Sequence, residues 1–267
     1  MRDFFASERY FFWQFLYKFT RSGEPNAVLL ILFVPSLFFI PSCSPVFYAP
    51  GPQQMPGFTR APETRINIGY TATAVASGVE ANVLHAPIEH LTLAAGHISY
   101  TAFTPGKTSP YHGYGSISEL GLGYHLWPSK NRHLVFDHCF FWGYGNFMVR
   151  SSHASRLQEN YHIGSKLRRL SQVAGLTFRS RFFEAGLSLK LAYLFYYEPT
   201  RSRHSPPSYV QTVVERNRHF LAEPCLTLTA GPAFLKFYFC LEASKNLSHP
   251  HFPQEKQKLS FGVLTRF

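Results

Sequence analysis

The sequence predicts an all-β chain, an antiparallel up-and-down transmembrane β-barrel of about ten strands. Three observations carry that reading. The 267 residues are 45% hydrophobic and 17% aromatic but only 15% charged, where soluble domains carry about a quarter charged residues. From Arg65 onward, apolar and polar residues alternate with a period of two through segment after segment, the signature of strands with one apolar face. Several of the opposite faces hold Lys, Glu and Arg, which no dry core accepts. The apolar face must then be the outer one, against lipid, with a polar lumen inside.

The chain divides into three parts. Residues 1–42 read as a signal peptide of the lipoprotein type. Ala27 to Phe39 is apolar, follows Lys18 and Arg21, is too short to span a bilayer and is interrupted by Pro35. It ends in Ile40-Pro41-Ser42-Cys43, which resembles the recognition box of lipoprotein signal peptidase and makes Cys43 the expected lipidation site, carrying palmitate-type acyl chains. Residues 43–63 read as an extended, solvated tether, because Pro45, Pro50, Pro52 and Pro56 exclude both helix and central strand. No acidic run follows Cys43, so the lipid anchor is expected in the periplasmic leaflet. Residues 64–267 are the barrel domain.

Parity assigns the strands in order. The first puts Ile66, Ile68, Tyr70 and Ala72 outward, the second Val79, Ala81 and Val83, and the third Leu91, Leu93 and Ala95. The fourth alternates Leu120, Leu122, Tyr124 and Leu126 with Glu119, Gly121, Gly123 and His125; the fifth sets Phe136, Phe140, Trp142 and Tyr144 against Asp137, Cys139 and Phe141. The sixth turns Ala174, Leu176 and Phe178 outward over Gly175, Thr177 and Arg179. The seventh carries Leu187, Leu189, Leu191 and Tyr193 outward over Glu184, Ser188 and Lys190. The eighth opposes Leu226, Leu228 and Ala230 to Cys225, Thr227 and Thr229, the ninth opposes Leu235, Phe237, Phe239 and Leu241 to Lys236, Cys240 and Glu242, and the tenth runs Leu259 to Phe267. Short connections alternate with longer ones near 104–113, 150–160, 198–216 and 245–256, as short periplasmic turns alternate with external loops. An even count returns the C-terminus to the periplasm.

A chain that ends on an aromatic strand resembles the closing strand of bacterial outer-membrane barrels, which implies the barrel-assembly machinery as a partner during biogenesis. Cys43-Ser-Pro-Val-Phe-Tyr-Ala-Pro, with Leu221-Ala-Glu-Pro-Cys-Leu-Thr-Leu-Thr-Ala-Gly and Lys236-Phe-Tyr-Phe, resembles an uncharacterised family of small outer-membrane barrel (lipo)proteins of Bacteroidetes. The resemblance covers most of residues 43–267 and is structural, bringing no catalytic or binding residues.

Composition excludes other classes. A helical membrane bundle needs several apolar runs of about 20 residues. The net charge of +11 is scattered, without a basic helix or phosphate loop, so nucleic acid is not a partner. Anionic lipid or lipopolysaccharide is. Arg201, Arg203, Arg216 and Arg218, in and after the most basic loop, are the candidate lipopolysaccharide contacts. Cys225 and Cys240, placed directly opposite each other by a two-residue turn at Pro232-Ala233, form a possible disulfide. Thirteen histidines include His85, His90 and His97 around one turn, but show no metal-ligand or nucleophile spacing. The expectation is therefore no metal, no cofactor and no catalytic residue. Lumen groups Glu184, Lys190, Glu223, Lys236 and Glu242 are expected to pair and plug so narrow a barrel.

The expected function is that of an outer-membrane barrel lipoprotein, structural, adhesive or in narrow transport. The alternatives are a lipoprotein with a soluble, lipocalin-like barrel for an apolar ligand, and an outer-membrane hydrolase. A soluble barrel requires a polar outer wall; a hydrolase requires Ser, His and an acid converging at one rim.

Overall fold

A computed structural model describes residues 47–267 except 52, 54, 55, 105–110, 129–132, 152–160, 181, 204 and 206. The segment read as a signal peptide and the proposed lipidation site, Cys43, lie outside the described residues. The strands are β1 (Glu63–Ala72), β2 (Ala76–Ala86), β3 (Leu91–Thr104), β4 (Tyr111–Leu126), β5 (Leu134–Ser151), β6 (Tyr161–Arg179), β7 (Phe183–Arg201), β8 (Arg218–Ala230), β9 (Leu235–Ala243), β10 (Lys245–Asn246) and β11 (Gln257–Arg266). β10 continues β9 past Ser244 and pairs with β8, so eleven segments make ten staves. Each stave is antiparallel to its neighbours. β11 pairs with β1 from Arg65↔Arg266 to Ala72↔Leu259, and this first-to-last pairing leaves the sheet without a free edge.

Burial follows the predicted parity, turned inside out. Ile68, Leu120, Leu187 and Phe237 are all more than 60% exposed on the outer wall, whereas Arg169, Lys190 and Glu223 are completely buried. The apolar wall is deep enough for a bilayer: outward positions from Phe220 to Ala230 on β8, and from Ala185 to Phe195 on β7, match the roughly 9–11 residues a tilted spanning strand needs. The soluble, lipocalin-like alternative required the opposite distribution.

β6 begins at Tyr161 and β8 at Arg218, directly after the expected connections near 150–160 and 198–216. Parity names face residues on them only from Ala174 and from Cys225 onward. Above the apolar band the outward residues become Lys166, Arg168 and Arg218, so the apolar signal stops while the hydrogen-bonded ladder continues. The loop after β7 contains a short helical piece, α1 (Pro207–Val210), that runs into a π-turn at Gln211–Glu215.

The turn between β8 and β9 shifts by one residue. The backbone N–H of Leu235 donates to the Pro232 carbonyl at 3.3 Å, which centres the turn on Ala233 and Phe234. Pro232 there contributes a carbonyl, the one ladder group it possesses. Gly231 takes φ +143°, and a Cβ on it would lie 2.6 Å from the Leu235 carbonyl oxygen. The consequence is a two-residue change of register: Cys225 faces Glu242 and Cys240 faces Thr227. A shift of two keeps every side chain on its face, so the cysteines stay in the lumen but lie diagonally and not directly opposite.

Replacing Leu189, in the middle of the outer band of β7, by Lys should lower unfolding stability in lipid by about 2–4 kcal/mol. The same change at Ala185, near the band's edge, should cost about 0–1 kcal/mol, as read by urea titration in vesicles.

Candidate functional site: a lumen filled by the N-terminal strap

The barrel is not empty. Residues 47–58, read from sequence as part of a solvated tether, run through its interior, and every described residue among them is buried. Phe47, Tyr48, Ala49 and Phe58 are at most 1% exposed. At the loop end, the Phe47 N–H donates to the Pro253 carbonyl at 3.0 Å and the Glu255 N–H to the Tyr48 carbonyl at 2.9 Å. The Phe47 ring packs 5.2 Å from Phe147 and 6.4 Å from Phe252, within an apolar cap that includes Ile98, Ile117, Leu167, Leu194 and Val213. At the turn end, Trp127 Nε1 donates to the Phe58 carbonyl at 2.7 Å, and the Phe58 ring lies 5.6 Å from His125.

The strap fits because of what its sequence lacks. It carries no charge between Cys43 and Phe58, and each proline removes one backbone donor while keeping the carbonyl. It is therefore rich in acceptors, and the lumen supplies cations. Lys258 Nζ donates to the Gly51 carbonyl at 2.9 Å. Arg65 Nη2 and Arg179 Nη1 donate to the Gly57 carbonyl at 2.9 and 3.1 Å. The Gly57 N–H donates to Asp137 at 3.1 Å, and Gln53 Nε2 to Ser188 Oγ at 2.9 Å.

These cations sit in three layers of ion pairs. Nearer the loop end, Arg169 pairs with Glu119, which also takes Lys190 at 3.3 Å; Arg169 donates to Tyr48 Oη, and Tyr48 donates to Glu223 at 2.8 Å. In a second layer Lys258 bridges Glu80 at 3.3 Å and Glu242 at 3.0 Å, and Tyr238 donates to Glu80 at 3.0 Å. At the turn end, Glu184 gathers Arg65, Arg179 and Lys236 within 2.9–3.1 Å, while Glu63 holds Arg65 and Arg266. Losing one partner from such a set leaves an uncompensated buried charge, at about 3–5 kcal/mol.

All five lumen groups named from sequence belong to this network. Parity also turned Glu119 inward, but nothing local marked Arg65, Arg169, Lys258 or Tyr48 as its centres. Cys225 and Cys240 are free thiols with their Sγ atoms 2.8 Å apart, both turned toward the Gln53 carbonyl at 3.6 and 3.9 Å.

The four candidate arginines separate. Arg201 and Arg203 line a cavity of about 520 Å³ in the loop after β7, with Gln211 and Glu215. Arg216 is exposed elsewhere on that loop. Arg218 lies on the outer wall at the top of the apolar band, in register with Phe195, which is in register with Arg168. Arg168 stands 4.9 Å from the Tyr197 ring centre and Arg218 5.8 Å from that of Phe195. Sequence parity does not mark Arg168, because it and its outward neighbour Lys166 carry no apolar signal.

A Ser–His pair lies on the outer wall: His97 Nδ1 and Ser118 Oγ are 2.8 Å apart across β3 and β4. The neighbouring acid, Glu119, points the other way, into the lumen and onto Arg169. His90 and His125 bond to backbone and hydroxyl groups near the turns, and His85 to Thr64.

No protein-family model matches the chain, and no curated protein does. Among solved structures it is similar to a major outer membrane protein from Thermus thermophilus (12% identity, 78% of this chain and 100% of that one, TM-score 0.41). It is also similar to the outer membrane protease OmpT from Escherichia coli (9%, 79% and 99%, TM-score 0.42). A third is the translocator domain of the autotransporter NalP from Neisseria meningitidis (8%, 77% and 87%, TM-score 0.42). The barrel architecture of this chain is read from its own strand pairing and burial.

A Cβ on Gly51 would fall 1.8 Å from Arg169 Nη2, so a side chain there must push the guanidinium away from Glu119 and Tyr48. Gly51→Val should therefore cost about 1–3 kcal/mol by overpacking. It should also open residues 47–58 to protease while the barrel keeps its heat-modifiable migration.

Proposed function

We propose that this chain is a lipid-tethered outer-membrane barrel that keeps its own lumen shut and acts through the surface it presents. The filled lumen carries this reading. A solute path would have to displace Tyr48 from Arg169 and Glu223, and strip the Gly51 and Gly57 carbonyls from Lys258, Arg65 and Arg179. Structural or adhesive work needs no such opening, so the narrow-transport version of the sequence reading is the weaker one. The outer membrane is favoured by the even stave count of a closed antiparallel barrel with an apolar outer wall.

The partner this surface suits is lipopolysaccharide. Arg168 and Arg218 stand at the upper edge of the apolar band with Phe195 between them, at the depth where outer-leaflet phosphates lie against acyl chains. Of the four arginines singled out from sequence, Arg218 is the one in that position.

Purified protein in planar bilayers should show no steady conductance, and deletion of residues 47–58 should produce it. Steady conductance of the intact protein would overturn the closed-lumen reading. Arg168→Ser with Arg218→Ser should reduce co-purifying lipopolysaccharide several-fold, whereas Arg201→Ser with Arg203→Ser should leave it unchanged. Equal lipid content in both double variants would count against the contact.

A further inference from the structure

The direction of the strap has a topological result that runs against the expected position of the anchor. Phe47 lies at the loop end of the barrel, bonded to Pro253 and in the ring cluster of Phe147 and Phe252. Phe58 lies at the turn end, beside Trp127 and His125. The strap thus descends from the loops to the turns and then reverses into β1, which climbs back. The C-terminus belongs to the turn end, where the Thr64 N–H donates to the Phe267 carbonyl at 3.0 Å. Twelve residues, 47–58, can extend to about 40 Å, enough to cross a hydrocarbon core of about 30 Å.

We propose that the barrel carries its own N-terminal end through the lumen to the cell surface, so that an acyl group on Cys43 enters the outer leaflet rather than the periplasmic one. The proposal rests on the outer-membrane, lipidated reading above: in that orientation the turn end faces the periplasm and the loop end faces outward. Cys43 precedes Phe47 by four residues, which confines it to within about 14 Å of the loop-end exit. A chain of that length cannot return past the filled lumen to the inner leaflet. The loop-end fastening by Pro253, Glu255 and the apolar cap holds the exit in place, and the cations holding Gly51 and Gly57 keep the strap from sliding back. The missing acidic run after Cys43 then has a simple meaning: a chain that delivers its end through its own barrel needs no separate export signal.

The test uses thiol accessibility on intact cells. Cys139, Cys225 and Cys240 are each 1% exposed and an acylated Cys43 has no free thiol, so background labelling by a membrane-impermeant maleimide should be low; labelling of the wild type, read alongside, reports any unacylated Cys43. Three single variants are compared: Ser44→Cys, His251→Cys in the exposed part of the loop that holds Pro253, and Ala233→Cys at the turn end, each with its heat-modifiable migration checked. Should processing at Cys43 suffer in the first, Val46→Cys replaces it. The expected result is labelling of Ser44→Cys on intact cells equal to that of His251→Cys, with Ala233→Cys labelled only after the outer membrane is permeabilised. Labelling of Ser44→Cys only after permeabilisation, or only after denaturation, overturns the proposal. If Ala233→Cys labels on intact cells and His251→Cys does not, the assumed orientation is wrong, and Ser44→Cys still reports the threading by tracking His251→Cys. Palmitate incorporation, lost in Cys43→Ala, reads the anchor separately: an unlabelled wild type with an accessible Ser44→Cys removes the lipid and keeps the threading.

Discussion

The carbonyls of an uncharged, proline-rich strap meet a ring of buried cations, and the rest of the structure depends on that match. Lys258, Arg65 and Arg179 are too far from water to stand unpaired. Their carboxylate partners neutralise them but leave donors over, and the strap takes those donors at Gly51 and Gly57. A helix could not do this, because its carbonyls are consumed internally. An extended segment missing several N–H groups offers acceptors without demanding as many acceptors in return. The strap and the ionic network therefore complete each other, and the lumen without either would hold unsatisfied charge.

This interlock sets the character of the molecule. A ten-stave barrel has an interior slightly wider than side chains alone would fill, and here one backbone takes up the surplus. The loop end is sealed differently, by Phe47, Phe147, Tyr196, Val213 and Phe252 in an apolar cap. Polar pairing in the middle and apolar packing at the mouth make the strap hard to slide, since any translation breaks both. Outside, the arginines at the upper edge of the apolar wall meet a wholly different environment, and the two sets of basic residues have no role in common despite their similar appearance in the sequence.

Legibility in the sequence was uneven for identifiable reasons. Parity was readable wherever lipid demanded apolar residues, so Leu187, Phe237 and Phe261 declared their face at once. It failed above the membrane, where Lys166 and Arg168 carry no apolar signal although β6 continues. The Cys225–Cys240 register was misread by two because Pro232 can serve either as a central turn residue or as the carbonyl acceptor that closes the turn, and local sequence does not choose. The pairing of lumen charges was foreseeable in kind. Its centre at Arg169 was not, because Glu119, Tyr48 and Glu223 come from segments 50 or more residues away.

By itself the sequence determined which face of each strand meets lipid, since a period of two is a property of neighbouring residues. It also determined that the interior would be charged. Only the tertiary structure decided what fills that interior, and in which direction. A segment of prolines and glycines has the same local preferences in water as in a lumen; what places it inside is the simultaneous presence of donors from β1, β6 and β11, which only the closed barrel brings together.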